Sequence, residues 1–243
     1  MNRAAPTRAP AVRTIVRRLE KAYGKRVWKA GGTGRPPPNG DRPLDSLVGT
    51  ILSQNTTARN AHAAMRQLKA AFPDWGSAAE APLSKIAAAI RPAGLHRQKA
   101  KNISGLLRII RQEHGCVSLN FLRRRPTDHI KQYLARLPGV GPKTAACVLL
   151  FALKRPVLPV DTHVRRVSRR LGLIGPKTSA EKAHDVLAEM VPDALVYAFH
   201  VLLIEHGRRI CRARRPDCPA CVLERLCPSA YKATGAGGRR QGS

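Results

Sequence analysis

Residues 137–144 read Leu-Pro-Gly-Val-Gly-Pro-Lys-Thr, and they lie between two segments with the apolar periodicity of helices. The two glycines permit a tight turn that exposes main-chain N–H groups. Pro142 suits the first position of the following helix, whose positive end then attracts an anion such as phosphate. The stretch predicts a helix–hairpin–helix with Lys143 in the first turn of its second helix, whereas a lone Gly-x-Gly would fit an ordinary helical hairpin equally well.

Helical patterns extend outward from this hairpin in both directions. Apolar residues share one face of a predicted helix over residues 11–23, and from residue 45 onward one helical pattern follows another. Residues 157–160, Val-Leu-Pro-Val, form the one short strand-like run, and no internal repeat of fixed period occurs. The chain is therefore predicted to be all-α.

Several polar residues mark where these helices begin. A threonine of the pair Thr56-Thr57 and Thr127 are predicted N-caps, and Thr178 with Glu181 has the spacing of a capping box. Asp161 is predicted to cap the helix that begins within Val160-Asp161-Thr162-His163, and His163 is expected to bond near that helix start.

The charge of the chain favours a polyanionic partner. Its 243 residues contain 44 Lys and Arg against 15 Asp and Glu, for a net charge of +29. Such self-repulsion is offset by binding a polyanion, for which nucleic acid is the first candidate and an acidic membrane surface a weaker one. No run of eighteen apolar residues indicates a membrane span, and the Arg-rich start lacks an apolar segment of signal-peptide length.

Lys143 and Asp161 could act together in chemistry on a sugar. A lysine amine in a cleft can serve as a nucleophile, although one more phosphate-contacting lysine is the simpler interpretation of its position alone. An ionised Asp161, eighteen residues later, could accept the lysine proton or stabilise a developing sugar cation, besides capping its helix.

Four cysteines within 17 residues indicate a metal site, because the chain shows no secretion signal that would favour disulfides. They are Cys211, Cys218, Cys221 and Cys227. Four thiolates can hold zinc or a 4Fe–4S cluster, and the spacing of six, two and five intervening residues favours a loop around the larger group. Cys116 and Cys147 lie in helical patterns and are predicted to pack as small apolar residues. Five arginines near the first cysteine are expected to bind phosphate or to offset thiolate charge; they are Arg208, Arg209, Arg212, Arg214 and Arg215.

The hairpin with its lysine, the Val-Asp-Thr-His aspartate and the cysteine loop, in this order, resemble the endonuclease III branch of the helix–hairpin–helix DNA glycosylase superfamily. The resemblance extends over roughly residues 11–230 and includes weaker similarity at residues 94–103 and 47–57. It implies a base excision repair glycosylase with AP lyase activity, which flips a damaged nucleotide out of the duplex. Lys143 would attack C1′ and form a Schiff base, Asp161 would assist, and the four cysteines would hold a 4Fe–4S cluster.

The family fold implies two helical lobes with the catalytic side chains facing each other at a cleft between them. Residues 44–155 would form a six-helix barrel with the hairpin, and residues 156–230 the cluster lobe, joined by the N-terminal helix and loop of residues 11–43. Residues 1–10 and 231–243 are expected to be disordered basic tails.

The resemblance also implies which residues contact duplex DNA. Leu95 would be an apolar wedge pushed into the base stack, although a loop residue folded onto the core is the alternative. Asn55 stands where the family has a glutamine that fills the opposite strand, and the adjacent Gln54 could substitute for it. The full set of expected DNA contacts is Gly139, Val140, Gly141, Thr144, Gln54, Asn55, Leu95 and His163.

Two departures from the family leave the substrate open. Ala58 and Ala135 stand where members carry Asp and Glu near the base pocket. Oxidised pyrimidines are the expected substrate, and uracil or thymine opposite guanine is the alternative. The adenine-specific branch is not favoured, because it expects Glu near Thr50 and usually lacks the hairpin lysine. A third hypothesis is a weakly catalytic iron–sulfur DNA-binding protein. We expect a cytoplasmic monomer, associated with the nucleoid if the source is prokaryotic.

Overall fold

The structure is a computed structural model that describes residues 11–24 and 42–231. The regular elements of the described chain are all helices, with no strand among them, which confirms the all-α prediction. It divides into two compact units, one holding residues 11–24 and 156–231 and the other residues 42–155. The expected tail at 1–10 and all of the expected tail at 231–243 except Tyr231 lie outside the described residues. Tyr231 is ordered against the cysteine loop, because its N–H donates to Cys218 Sγ and its hydroxyl to Glu224. Most of the loop expected within residues 11–43 also lies outside the described residues, and its last two residues begin a helix.

The helices are numbered in order along the whole chain. The unit of residues 42–155 begins with four of them. The N-terminal helix is α1 (Val12–Tyr23), and α2 (Arg42–Ser53), α3 (Ala58–Ala71), α4 (Trp75–Glu80) and α5 (Leu83–Ala89) follow. After a 3₁₀ turn at Arg91–Ala93 come α6 (His96–His114), α7 (Thr127–Ala135) and α8 (Pro142–Cys147). A π-helical turn, Val148–Ala152, continues α8.

Helix α6 is the central element of residues 42–155 and packs against α4 and α5. Its buried apolar residues recur at helical spacing, which gives it a continuous apolar face. They are Ala100, Ile103, Leu106, Leu107 and Ile110. Lys99 lies at the start of this same face and is also buried. The six-helix barrel implied by the resemblance stays a prediction.

The second unit contains α1, α9 (Thr162–Arg170), α10 (Ala180–Met190) and α11 (Val196–Arg209). Both α1 and α9 pack against α11. The buried face of α1 is the predicted one, with Val12, Ile15, Val16 and Leu19. A 3₁₀ turn, Glu224–Leu226, lies within the cysteine loop that follows α11.

Two of the predicted caps are correct and two are wrong. Thr57 accepts from the main-chain N–H of Asn60 at 3.2 Å, and Asp161 caps α9. The cap of α10 is Ser179, which accepts from Lys182 N at 3.1 Å, so Thr178 lies one residue too early. Pro126 occupies the N-cap of α7, and Thr127 is its first helical residue.

Among residues 11–24 and 42–231, no single helix is long and apolar enough to cross a membrane, and one pair bent by 114°, Ala180–Met190 with Asp193–Arg209, reaches that length and hydropathy together.

Candidate active site and cysteine loop

The predicted hairpin is present between α7 and α8. Gly139 has a φ of 76°, and a Cβ at this position would lie 2.5 Å from Nδ2 of Asn102, so both conformation and space require glycine. Gly141 is the extended N-cap of α8, and Pro142 opens the helix as the sequence predicts. Lys143 follows in the first turn and is half-buried. The hairpin thus places Lys143 in the first turn of the short helix α8.

The side chain of Gln54 forms hydrogen bonds to the hairpin and to Thr144 beside it. The Gln54 side-chain amide donates to the carbonyl of Gly139 at 3.2 Å and lies 3.4 Å from the hydroxyl of Thr144. Thr144 is buried, as is Val140, while Gly139 and Gly141 are exposed. The direct DNA contacts expected of these residues stay predictions, and the structure gives Gln54 the role of an anchor for the hairpin.

Asn55 and Leu95 are exposed and have unusual backbone conformations. Their φ angles of 51° and 46° lie in the left-handed region, which non-glycine residues seldom adopt. The Leu95 side chain is 62 % exposed, so it is not folded onto the core. The Asn55 side chain is exposed, whereas the Gln54 amide is bonded to the hairpin, and contact of Asn55 and Leu95 with DNA stays a prediction.

Sequence reasoning missed Lys99, whose ammonium lies beneath these two residues. Lys99 is 2 % exposed, and Nζ donates to the carbonyls of Leu52 at 2.8 Å, Gln54 at 2.6 Å and Ala93 at 2.9 Å. Burial lowers the pKa of Lys99, while the three carbonyl acceptors favour the protonated ammonium. The available signal was a lysine on the apolar face of α6, four residues before Ile103.

Asp161 and His163 lie at the start of α9, in the unit that does not contain Lys143. Asp161 Oδ1 accepts from the main-chain N–H of Val164 at 2.8 Å, and the residue is half-exposed. Nδ1 of His163 lies 3.1 Å from Nη2 of Arg166, and burial lowers the pKa of His163. That Asp161 faces the lysine stays a prediction, as does the contact of His163 with DNA.

The four cysteines of the loop line one cavity of about 430 Å³, including its open mouth. No three His, Cys, Asp or Glu side chains in the described residues lie close enough together to hold a single metal ion. Burial raises the pKa of Cys221 to about 11 and also raises that of Cys227, so ionising these thiols requires nearby positive charge. Whether the four thiols hold a 4Fe–4S cluster or zinc stays a prediction.

Arg170 of α9 forms hydrogen bonds to this loop, and sequence reasoning missed it as well. Its guanidinium donates to Cys211 Sγ at 3.2 Å and to the carbonyls of Arg212 at 2.7 Å and Ala213 at 3.0 Å. Nε2 of His206 lies 3.5 Å from Cys221 Sγ, and its Nδ1 lies 2.7 Å from the Tyr23 hydroxyl of α1. The five arginines near Cys211 are exposed. Arg209 is ion-paired with Glu205 and lies over the ring of Tyr23, so the other four have the freer guanidinium groups.

Cys116 and Cys147 differ from each other. Cys147 is buried within α8, as predicted, whereas Cys116 is exposed in the bend that follows α6. The prediction that Cys116 packs as an apolar residue is wrong, because α6 ends at His114 and its left-handed C-cap, Gly115, turns the chain before Cys116.

Comparison with known proteins agrees with this geometry. Residues 48–193 match the model of the HhH-GPD superfamily base excision DNA repair proteins. Endonuclease III of Thermotoga maritima is 34 % identical over 195 residues, which are 80 % of this chain and 86 % of that protein. An Arabidopsis thaliana protein named as a DNA glycosylase is 39 % identical over 165 residues, which are 68 % of this chain but 56 % of the plant protein.

The fold is also similar to a solved structure of a trapped endonuclease III–DNA covalent intermediate. The TM-score is 0.72 at 28 % identity, and the superposition covers 92 % of this chain and 98 % of the other. The chain therefore belongs to the HhH-GPD superfamily of base excision DNA repair proteins.

Proposed function

We propose that this protein is a DNA glycosylase and AP lyase that removes oxidised pyrimidines from duplex DNA. The observation that carries the proposal is the half-buried Lys143, which follows the hairpin in a fold similar to endonuclease III covalently trapped on DNA. A covalent intermediate requires a nucleophile, and a lysine amine forms a Schiff base with a sugar aldehyde carbon.

Lys143 and Asp161 divide the reaction between them in this proposal. Asp161 accepts a proton from the Lys143 ammonium, and the free amine attacks C1′ of the flipped nucleotide as the bond to the base breaks. The base leaves with a proton, the sugar ring opens, and a protonated Schiff base joins Lys143 to C1′. Loss of a proton from C2′ then expels the 3′ phosphate by β-elimination, and water releases the lysine.

The cysteine loop is proposed to hold a 4Fe–4S cluster through Cys211, Cys218, Cys221 and Cys227. The donor set fits, because four thiols line one cavity and a 4Fe–4S cluster is held by four cysteine thiolates. Held by these four cysteines, a cluster would supply a rigid core for the loop and a redox-active centre. Its presence is checked by iron and sulfide analysis of the purified protein, and stoichiometric zinc without iron would contradict it.

Duplex DNA is the proposed partner of a monomeric protein. The net charge of +29 and the exposed arginines near Cys211 support phosphate contacts on the DNA backbone. No membrane association is proposed, and a cytoplasmic location remains our expectation.

Borohydride trapping on duplexes that carry thymine glycol or a plain abasic site tests the proposal. Trapping on both substrates by the wild type and by Lys182→Ala, an exposed lysine of α10, is expected, with none by Lys143→Ala. Trapping on the abasic site alone would retain the lyase and reject oxidised pyrimidines. Tight, salt-dependent binding without trapping on either substrate would favour the weakly catalytic DNA-binding protein.

A mismatch glycosylase for uracil or thymine opposite guanine is the second candidate. Ala58 at the start of α3 and Ala135 at the end of α7 are both exposed, so neither supplies the carboxylate that the family places there. A panel of duplexes with single lesions separates this candidate from the first by the base that is released.

A further inference from the structure

Two exposed residues of the 42–155 unit are held in strained backbone conformations. Asn55 and Leu95 both have φ near 50°, where a Cβ crowds the adjacent carbonyl, and neither is a glycine. Such conformations persist only where the surrounding structure fixes them. Leu95 is also the N-cap of α6 and makes no side-chain cap hydrogen bond. Some other group must therefore hold the two loops in place.

The Lys99 ammonium is that group, because it bonds to the backbone of both loops. The carbonyls of Leu52 and Gln54 come from the chain leading into Asn55, and the carbonyl of Ala93 comes from the turn leading into Leu95. All three ammonium hydrogens are used, and the side chain is 2 % exposed. The three carbonyl oxygens thus converge on one nitrogen, which fixes the separation of the two loops.

We propose that Lys99 is a positioning residue for base flipping, which sets the Asn55 and Leu95 loops at one spacing so that both side chains enter the duplex together. The inference rests on the proposed function, in which these side chains fill the space left by the extruded nucleotide. Lys99 itself does not touch DNA. Lys99 also cannot act as the nucleophile proposed for Lys143, because the three N–H groups of Lys99 are occupied and its nitrogen is buried away from a sugar.

Fluorescence of 2-aminopurine placed opposite a tetrahydrofuran abasic analogue measures insertion without requiring catalysis. The wild type is expected to increase the fluorescence on binding, because the base opposite loses its stacking. Lys99→Met keeps the length of the stem and removes the donors, and it is expected to lose most of this increase. Lys101→Met is the matched control, since Lys101 is exposed on the same helix and its loss removes the same charge.

Rates on two substrates separate positioning from general damage. Base removal from thymine glycol duplexes by Lys99→Met should fall on the order of 100-fold, as small misplacements of reacting groups do. Nicking of a preformed abasic site, which has no base to extrude, should fall much less. Equal slowing of both reactions, or an unchanged fluorescence increase, would overturn the assignment of Lys99.

Three further variants keep the test decisive if Lys99→Met does not fold. Lys99→Gln retains two N–H donors and should show an intermediate fluorescence increase. In the wild-type background, Asn55→Ala and Leu95→Ala should be non-additive in the same assay, because the two side chains enter together. Additive effects would contradict joint entry. Absence of nicking and trapping by the wild type would reject the proposed function, while the fluorescence assay would still test Lys99.

Discussion

The side-chain amide of Gln54 donates to the carbonyl of Gly139 at 3.2 Å, which bonds the loop after α2 directly to the hairpin before α8. The main-chain carbonyl of the same Gln54 accepts from Lys99. One residue therefore connects the hairpin to the ammonium that holds the Asn55 and Leu95 loops. The proposed nucleophile and the proposed DNA wedges thus share a continuous hydrogen-bonded support.

Replacing Gln54 by alanine should loosen the hairpin without unfolding the protein. We expect the free energy of unfolding to fall by about 1 kcal/mol, the usual net contribution of such a hydrogen bond. Borohydride trapping should fall with it, because Lys143 follows the released hairpin. Gln132→Ala, at an exposed position of α7, is the control and should leave both quantities unchanged. Trapping at the wild-type level by Gln54→Ala would show that this bond does not support the hairpin.

The two glycines of the hairpin should respond differently to alanine. Gly139→Ala places a Cβ 2.5 Å from Asn102 Nδ2 and strains a φ of 76°, so a loss of about 1–3 kcal/mol is expected. Gly141→Ala meets nothing within 4 Å and has a φ of −93°, so its stability should stay close to that of the wild type. Chemical denaturation measures both. Equal stabilities of the two variants would contradict the hairpin geometry.

Substitutions at Asp161 should separate helix capping from catalysis. Asp161→Asn keeps an oxygen that can accept from Val164 N, and its stability should be near that of the wild type. Asp161→Ala removes the cap and should cost about 1 kcal/mol. Both variants should turn over far more slowly, since neither can accept the lysine proton. Single-turnover base release and thermal unfolding measure the two effects, and normal turnover by Asp161→Asn would limit Asp161 to capping.

Removing the Arg170 guanidinium should weaken the cysteine loop. Arg170→Gln loses donors to Cys211 Sγ and to the carbonyls of Arg212 and Ala213, so the first cysteine is less firmly placed. We expect faster loss of iron and of visible absorbance under a chelator. Arg169→Gln is the matched control, because Arg169 is the exposed neighbour in α9 and carries the same charge. Equal iron loss by the two variants would assign the effect to charge alone.

Short-range features of this protein were determined by the sequence alone. The Gly139 turn, the Pro142 helix start, the Asp161 cap and the buried face of α1 each depend on residues a few positions apart, whose geometry follows from backbone sterics and helical periodicity. The spacing of the cysteines is likewise local, and the structure places all four around one cavity.

Tertiary structure alone decided the contacts between distant segments. Lys99 looked like one more basic residue, yet its three acceptors come from two other segments, two of them more than forty residues earlier in the chain. Gln54 and Arg170 gained their partners in the same way. Local sequence does not encode such roles, because a polar side chain is buried only where folding brings enough carbonyl or N–H partners around it to replace water.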